Sequence, residues 1–177
     1  MISLGKLNIT KGFEEWIALH EVMAPKMLAV GTQFRFAVAN PIEDTLFLLI
    51  EMNGDIEEML DAVNNPKAIE MREAAGVKVE TQEMISSIDY SVFWEKDVHN
   101  TSVKILGTLD IGDEFKIEET TKYLRLSGSD KLIWSGYSSE ENKLYFLMET
   151  TSEAKETTSE AKKDYELISE IKAVYFP

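Results

Sequence analysis

The 177-residue chain contains no cysteine, which excludes disulfides, thiolate nucleophiles, iron–sulfur clusters and cysteine-type zinc sites. Histidine is nearly as scarce: His20 and His99 are the only two, and nothing in their spacing points to a two-histidine metal site. Basic residues are in the minority, with 18 Lys and Arg against 32 Asp and Glu and a formal net charge of −14. Such a surface repels phosphate backbones and anionic lipid head groups, so neither nucleic acid nor a membrane is an expected partner. No apolar run approaches the ~20 residues of a membrane span; the longest, Leu46 to Ile50, has strand length. The first ten residues carry a single lysine and no apolar core of a signal peptide, which makes a cytoplasmic location the expectation. P-loop, GxGxxG, HExxH and an ordered Ser-His-Asp set are all missing, and no cofactor is expected.

What is present is patterned. Ile2 to Ile9 reads as a strand, and Thr10 is placed to cap a helix with Phe13, Trp16, Ile17, His20 and Met23 at three- and four-residue spacing. Pro25 is expected to kink or restart that helix, and Gly31 to end it. From Gln33 to Ala39, Phe34, Phe36 and Val38 alternate with Gln33, Arg35 and Ala37, as on a half-buried strand. Thr45 to Glu51 is apolar on both faces and should be a central strand. Asn53-Gly54-Asp55 opens a helix carrying Ile56, Met59, Leu60, Val63 and Ile69, with Pro66 interrupting it. Val77 to Ile88 completes a βαββαβ order.

The order then recurs. Leu4-Gly5-Lys6-Leu7-Asn8-Ile9 is echoed by Leu106-Gly107-Thr108-Leu109-Asp110-Ile111. Glu43 to Glu51 is echoed by Glu141 to Glu149, each echo at the matching place in a βαββαβ unit. An internal repeat follows. The expected fold is α+β: two tandem ferredoxin-like (βαββαβ) repeats packed as a pseudo-dimeric α/β barrel. Residues 1–88 form the first repeat, 89–100 a connector and 101–177 the second, and each sheet has strand order 4-1-3-2. Two sheets in one chain make a monomer with an internal pseudo-twofold the expected state. The stretch 113–126 has poor helical periodicity and reads as either helix or strand. The duplicated heptad Glu149 to Lys155 and Glu156 to Lys162 keeps one helical face inward and carries no evident function.

From Gly12-Phe13-Glu14-Glu15-Trp16 through Phe34-Arg35-Phe36 and Asn40-Pro41 to Ala75-Gly76-Val77, the first half resembles an uncharacterised family of small ferredoxin-like proteins of marine cyanobacteria. More loosely it is similar to the dimeric α/β-barrel superfamily. The resemblance implies the fold and no particular reaction, since that superfamily holds antibiotic-type monooxygenases, haem-degrading enzymes and chlorite dismutases.

The candidate ligand-binding residues are Asn8, Trp16, His20 and Arg35. Trp16 and His20 share the stripe of the first helix with Phe13; the ordinary reading of His20 is a hydrogen-bonded core histidine with no cavity beside it. Asn8 resembles the strand asparagine of haem-degrading monooxygenases, without that family's partner residues. Arg35 is placed to pair with Glu51 or to bind an anion, while Glu51 and Glu149 are expected to cap the helices after their strands. Trp94 and Trp134 read as packing residues, and His99 as a surface residue. A binding or interaction protein with a small apolar cleft and no defined catalysis is the leading expectation, a small hydrophobic ligand its occupant. The alternative is a monooxygenase- or isomerase-like enzyme acting on a hydrophobic small molecule.

Overall fold

A computed structural model describes residues 1–40, 42–94, 103–111, 131–150 and 165–177. The chain divides into two compact units, Met1–Ser87 with Ala173–Pro177, and Ile88–Lys172. In the first unit the elements run β1 (Ile2–Ile9), α1 (Phe13–Ala29), β2 (Thr32–Asn40), β3 (Thr45–Met52), α2 (Ile56–Asn64), α3 (Pro66–Ala74) and β4 (Val77–Ile88). The first sheet has the antiparallel order β10-β2-β3-β1-β4, where β10 (Ala173–Tyr175) comes from the end of the described chain. Without β10 this is the expected 4-1-3-2. Central β3 is buried along Leu46 to Leu49 because both its faces are covered, as its unbroken apolar run requires.

The edges of the helices differ from the sequence reading in ways the chemistry explains. Thr10 does not cap α1: its Oγ1 donates to the Gly76 carbonyl instead, and Gly12 stands at the N-cap without a side-chain bond. Pro25 sits inside α1 without ending it. Pro66 does divide the next segment, as the first residue of α3, and Asn65 serves both as C-cap of α2 and as N-cap of α3. Asp55, not Glu51, caps α2, accepting from the amides of Glu57 and Glu58.

A second departure matters more for the site. Strict alternation predicts Phe34, Phe36 and Val38 on one face of β2. The pairing with β3 runs Phe34↔Ile50 and then Phe36↔Leu49, so a β-bulge lies between them. The extra residue is Arg35. A bulge reverses the parity of the strand, and Phe34 therefore joins Ala37, Ala39, Leu48 and Ile50 in the cluster that contains Trp16. Phe36 and Val38 turn to the opposite face, where both are fully buried.

The second unit contains β5 (Tyr90–Phe93), β6 (Val103–Asp110), β7 (Lys131–Ser138), β8 (Lys143–Thr150) and β9 (Glu166–Ile171), in the antiparallel order β5-β7-β8-β6-β9. Without β5, its order β7-β8-β6-β9 repeats the β2-β3-β1-β4 order of the first sheet. Its β7–β8 pairing carries a bulge between Leu132 and Trp134. Asn142 adopts φ 54° in its hairpin where Asp44 adopts φ 52° in the other, and each carbonyl receives an amide, Ile111 at 3.0 Å and Ile9 at 2.8 Å. Two boundaries fall elsewhere than expected. Tyr90–Phe93, expected in a connector, is an edge strand held to β7, with Trp134 Nε1 donating to Ser91 Oγ at 2.8 Å. The single last strand expected over Leu167 to Phe176 is two, β9 in the second sheet and β10 in the first. The ambiguous stretch 113–126, His99 and all but the first two residues of the duplicated heptad lie outside the described residues. Among the described residues, no helix is long and apolar enough to cross a membrane.

Candidate functional site

Helix α1 projects Trp16, His20 and Met27 inward, at spacings of four and seven residues. Trp16 is the hub of an aromatic cluster. Its ring stacks on Phe13 at 6.0 Å and on His20 at 5.4 Å, and meets Phe34 edge-on at 5.8 Å and Tyr175 at 6.3 Å. His20 in turn meets Phe34 at 4.8 Å and Tyr175 at 5.5 Å. The bulge in β2 thus places Phe34 on this face, and the short β10 supplies Tyr175.

His20 is buried, as a core histidine would be, yet its Nδ1 has no hydrogen-bond partner. Burial pushes its pKa below the ordinary value, and the Glu21 carboxylate offsets part of that shift. The ring is therefore neutral at pH 7. Thr32 Oγ1 is a second buried polar atom without a partner. Buried polar atoms are nearly always hydrogen-bonded, so two orphans among residues lining the same space need an explanation.

That space is a cavity of about 510 Å³ within the first unit, a volume in the range of small-molecule sites. The sheet contributes Ser3, Leu7, Thr32, Phe34, Leu48, Ile50, Val77 and Val79; α1 contributes Trp16, Leu19, His20, Met23 and Met27. Helix α2 contributes Met59, Leu60 and Val63. No residue of α2 is fully buried, and Leu60 remains 45% exposed, so its apolar stripe overhangs the cavity without a complete contact. Six of the chain's eight methionines, Met1, Met23, Met27, Met52, Met59 and Met84, line this space. Unbranched thioethers adapt to irregular apolar shapes.

The structure separates the four residues singled out from sequence. Trp16 and His20 stand together on the cavity wall; Asn8 and Arg35 are not among the lining residues. Asn8 lies between Leu7 and Ile9, which both pack in the helix-side cluster, so strand alternation sends its side chain to the other face. Arg35, the bulged residue, pairs with Glu51 at 3.4 Å. Glu51 also accepts from Gln33 and Asn53, and these contacts, with the Asn53 bond foremost, hold its carboxyl below the usual range.

The polar group that sequence reasoning missed is Arg72. It is 8% exposed on the inner face of α3, lines the cavity, and donates Nη2 to Gln82 Oε1 on β4. Ala68 and Arg72 are the two buried residues of α3. Local spacing in α3 carries no signal that this arginine is buried, because arginine is ordinarily a surface residue. Among the described residues, no group of three His, Asp or Glu side chains could hold a metal ion.

The buried neutral imidazole gives a pH prediction. Below about pH 6.5 the unfolded chain binds a proton at His20 that the folded ring resists. The contribution to stability is therefore complete above about pH 6.5 and declines as pH falls toward the depressed folded value. Denaturation midpoints measured between pH 7.5 and 5.5 should drop more steeply for the unmodified chain than for His20→Gln. Equal slopes would remove the assignment.

No family model and no curated protein matches this chain. Solved structures do. One provisionally named monooxygenase, from Fusobacterium nucleatum subsp. nucleatum, matches with a TM-score of 0.51 at 12% identity, over 99% of this chain and 93% of that one. Another, from Lactobacillus acidophilus NCFM, gives 0.48 at 13% identity, over 99% and 95%. At such identity the first likeness establishes a shared fold alone, and no activity.

Proposed function

We propose that this protein binds a small, largely apolar molecule in the cavity between the helices and the first sheet. The observation that carries the reading is a cavity of about 510 Å³ beside a buried histidine whose Nδ1 has no partner. A core histidine satisfied by its own fold leaves neither feature. The incompletely buried stripe of α2 and the methionines of the wall supply the adaptable apolar surface such a ligand needs. The acidic chain acts without nucleic acid or membrane, as a monomer.

Nile red, a neutral apolar dye, tests this directly. Saturable binding with blue-shifted emission is the expected result, and Ile50→Trp, which fills the cavity from the sheet, should weaken it at least tenfold. Bound at a hundred times its dissociation constant, any occupant adds about 2.7 kcal/mol to the folded state, so the melting temperature should rise with dye. Non-saturable binding unaffected by Ile50→Trp would refute the reading.

A second reading is favoured by the name of the Fusobacterium protein and by His20 itself. A neutral ring with a vacant acceptor or donor at Nδ1, facing apolar surface, is suited to moving a proton on a bound hydrophobic substrate. Dioxygen uptake with 1-naphthol, lost in His20→Ala, would support a monooxygenase; dye binding without uptake supports the binding protein.

A further inference from the structure

We propose that the ligand of this cavity carries a carboxylate, and that Arg72 receives it. The inference rests on the binding reading above and names the chemical class of the occupant.

The argument begins with the cost of the arginine. A guanidinium stays charged at any physiological pH, and removing a charge from water is unfavourable by several kcal/mol unless a counter-charge or a full set of acceptors replaces the water. Arg72 is more than nine-tenths buried and makes no ion pair among the described residues. Gln82 takes one of its five N–H donors. A neutral amide oxygen fixes the direction of the fork without neutralising it. Arg72 borders a space whose wall is largely apolar, with Met23, Met27, Leu48, Ile50, Leu60 and Val63 among its lining residues. An apolar molecule alone would fill that space and leave the guanidinium worse solvated than before. An apolar molecule with an anionic end satisfies both.

The charge count selects the anion. Lys6 also borders the cavity, but it is paired with Glu83 at 3.3 Å. Among the side chains that line the cavity, Arg72 is thus the cation with no carboxylate partner among the described residues, which suits a monoanion better than a phosphate monoester. The planar fork of arginine matches the two oxygens of a carboxylate. Thr32 Oγ1 and His20 Nδ1, both buried and without partners, mark where a further polar atom on the apolar body would be accepted.

Decanoate and 1-decanol share one chain and differ in the head group. Each is titrated against Nile red bound to the full chain. Decanoate should displace the dye at least tenfold more tightly than decanol. Arg72→Met, which keeps an apolar stem of similar reach, should cancel that preference by weakening decanoate alone, and Arg72→Lys should restore part of it. Equal affinities in the unmodified chain would overturn the carboxylate assignment while the apolar site stood, because the dye would still be bound. That comparison needs no variant, so it decides the matter even if Arg72→Met fails to fold. Weakening of both compounds equally in a folded Arg72→Met would also overturn it, by returning Arg72 to a purely structural role. Failure of the dye to bind at all would defeat the binding reading and this inference together.

Discussion

Trp16→Ala should lower the stability of the chain by about 3–5 kcal/mol, the loss that follows truncation of a buried tryptophan. The residue is 4% exposed and makes ring contacts with Phe13, His20, Phe34 and Tyr175. Removing the indole leaves each of those rings without its partner, and the cavity beside it enlarges into the helix–sheet interface. The surrounding backbone cannot collapse into the gap, because α1 and β2 are fixed by their own hydrogen bonds. Urea denaturation measures the effect. Trp94, 37% exposed on the second unit with its Nε1 donating to Ser135 Oγ, is the comparison: its replacement by Ala should cost clearly less than that of Trp16. Dye binding should fall with Trp16→Ala even at temperatures where the variant stays folded. A loss under about 1 kcal/mol would show that the aromatic cluster is not the support of this face.

Gly54→Ala is the other large effect expected. Gly31, at φ 72°, ends α1, and its carbonyl accepts the amide of Asn53 at 2.7 Å. The chain just before α2 therefore lies directly against the chain just after α1. A Cβ on Gly54 would stand 2.1 Å from the carbonyl oxygen of Val30 and 2.9 Å from its carbonyl carbon. Both are backbone atoms, with no rotamer to yield. Where a glycine has room, Ala in its place stabilises by about 0.4–1 kcal/mol through the unfolded state. Here the sign should reverse, with a loss of about 3 kcal/mol, the upper part of the range for overpacking. Because the strain moves the start of α2, and Met59, Leu60 and Val63 with it, Nile red affinity should fall as well. A neutral or stabilising Gly54→Ala would mean that the two segments separate readily.

These two positions illustrate what could be read in the sequence. The strand orders followed from period-two and period-3.6 patterns together with the two echoes, because local sterics and burial act within a few residues. Trp16 and His20 were found for the same reason: their four-residue spacing puts them on one helical face whatever lies opposite. What lies opposite was not legible. The contact of Gly31 with Gly54 joins residues far apart in sequence, and the bulge at Arg35 is a property of the pairing between β2 and β3, not of β2 alone. That bulge undid the expectation for Phe34 and left Arg35 in an ion pair with Glu51 instead of on the site. Arg72 was hidden by the usual rule that arginine is a surface residue. Only the fold shows that its helix turns this position inward.

The strand β10 has a consequence for how the protein is made. It closes the edge of β2, and Tyr175 completes the ring cluster around Trp16 and His20, yet it follows the 85 residues of the second unit in the chain. At roughly 5–20 residues per second, a ribosome needs about 4 to 17 s to pass from β4 to β10. For that interval the nascent first unit offers the open edge of β2, rich in apolar residues, to any strand within reach. Slow synthesis across residues 88–172 would lengthen the exposure, and a chaperone that shields strand edges would matter most during it.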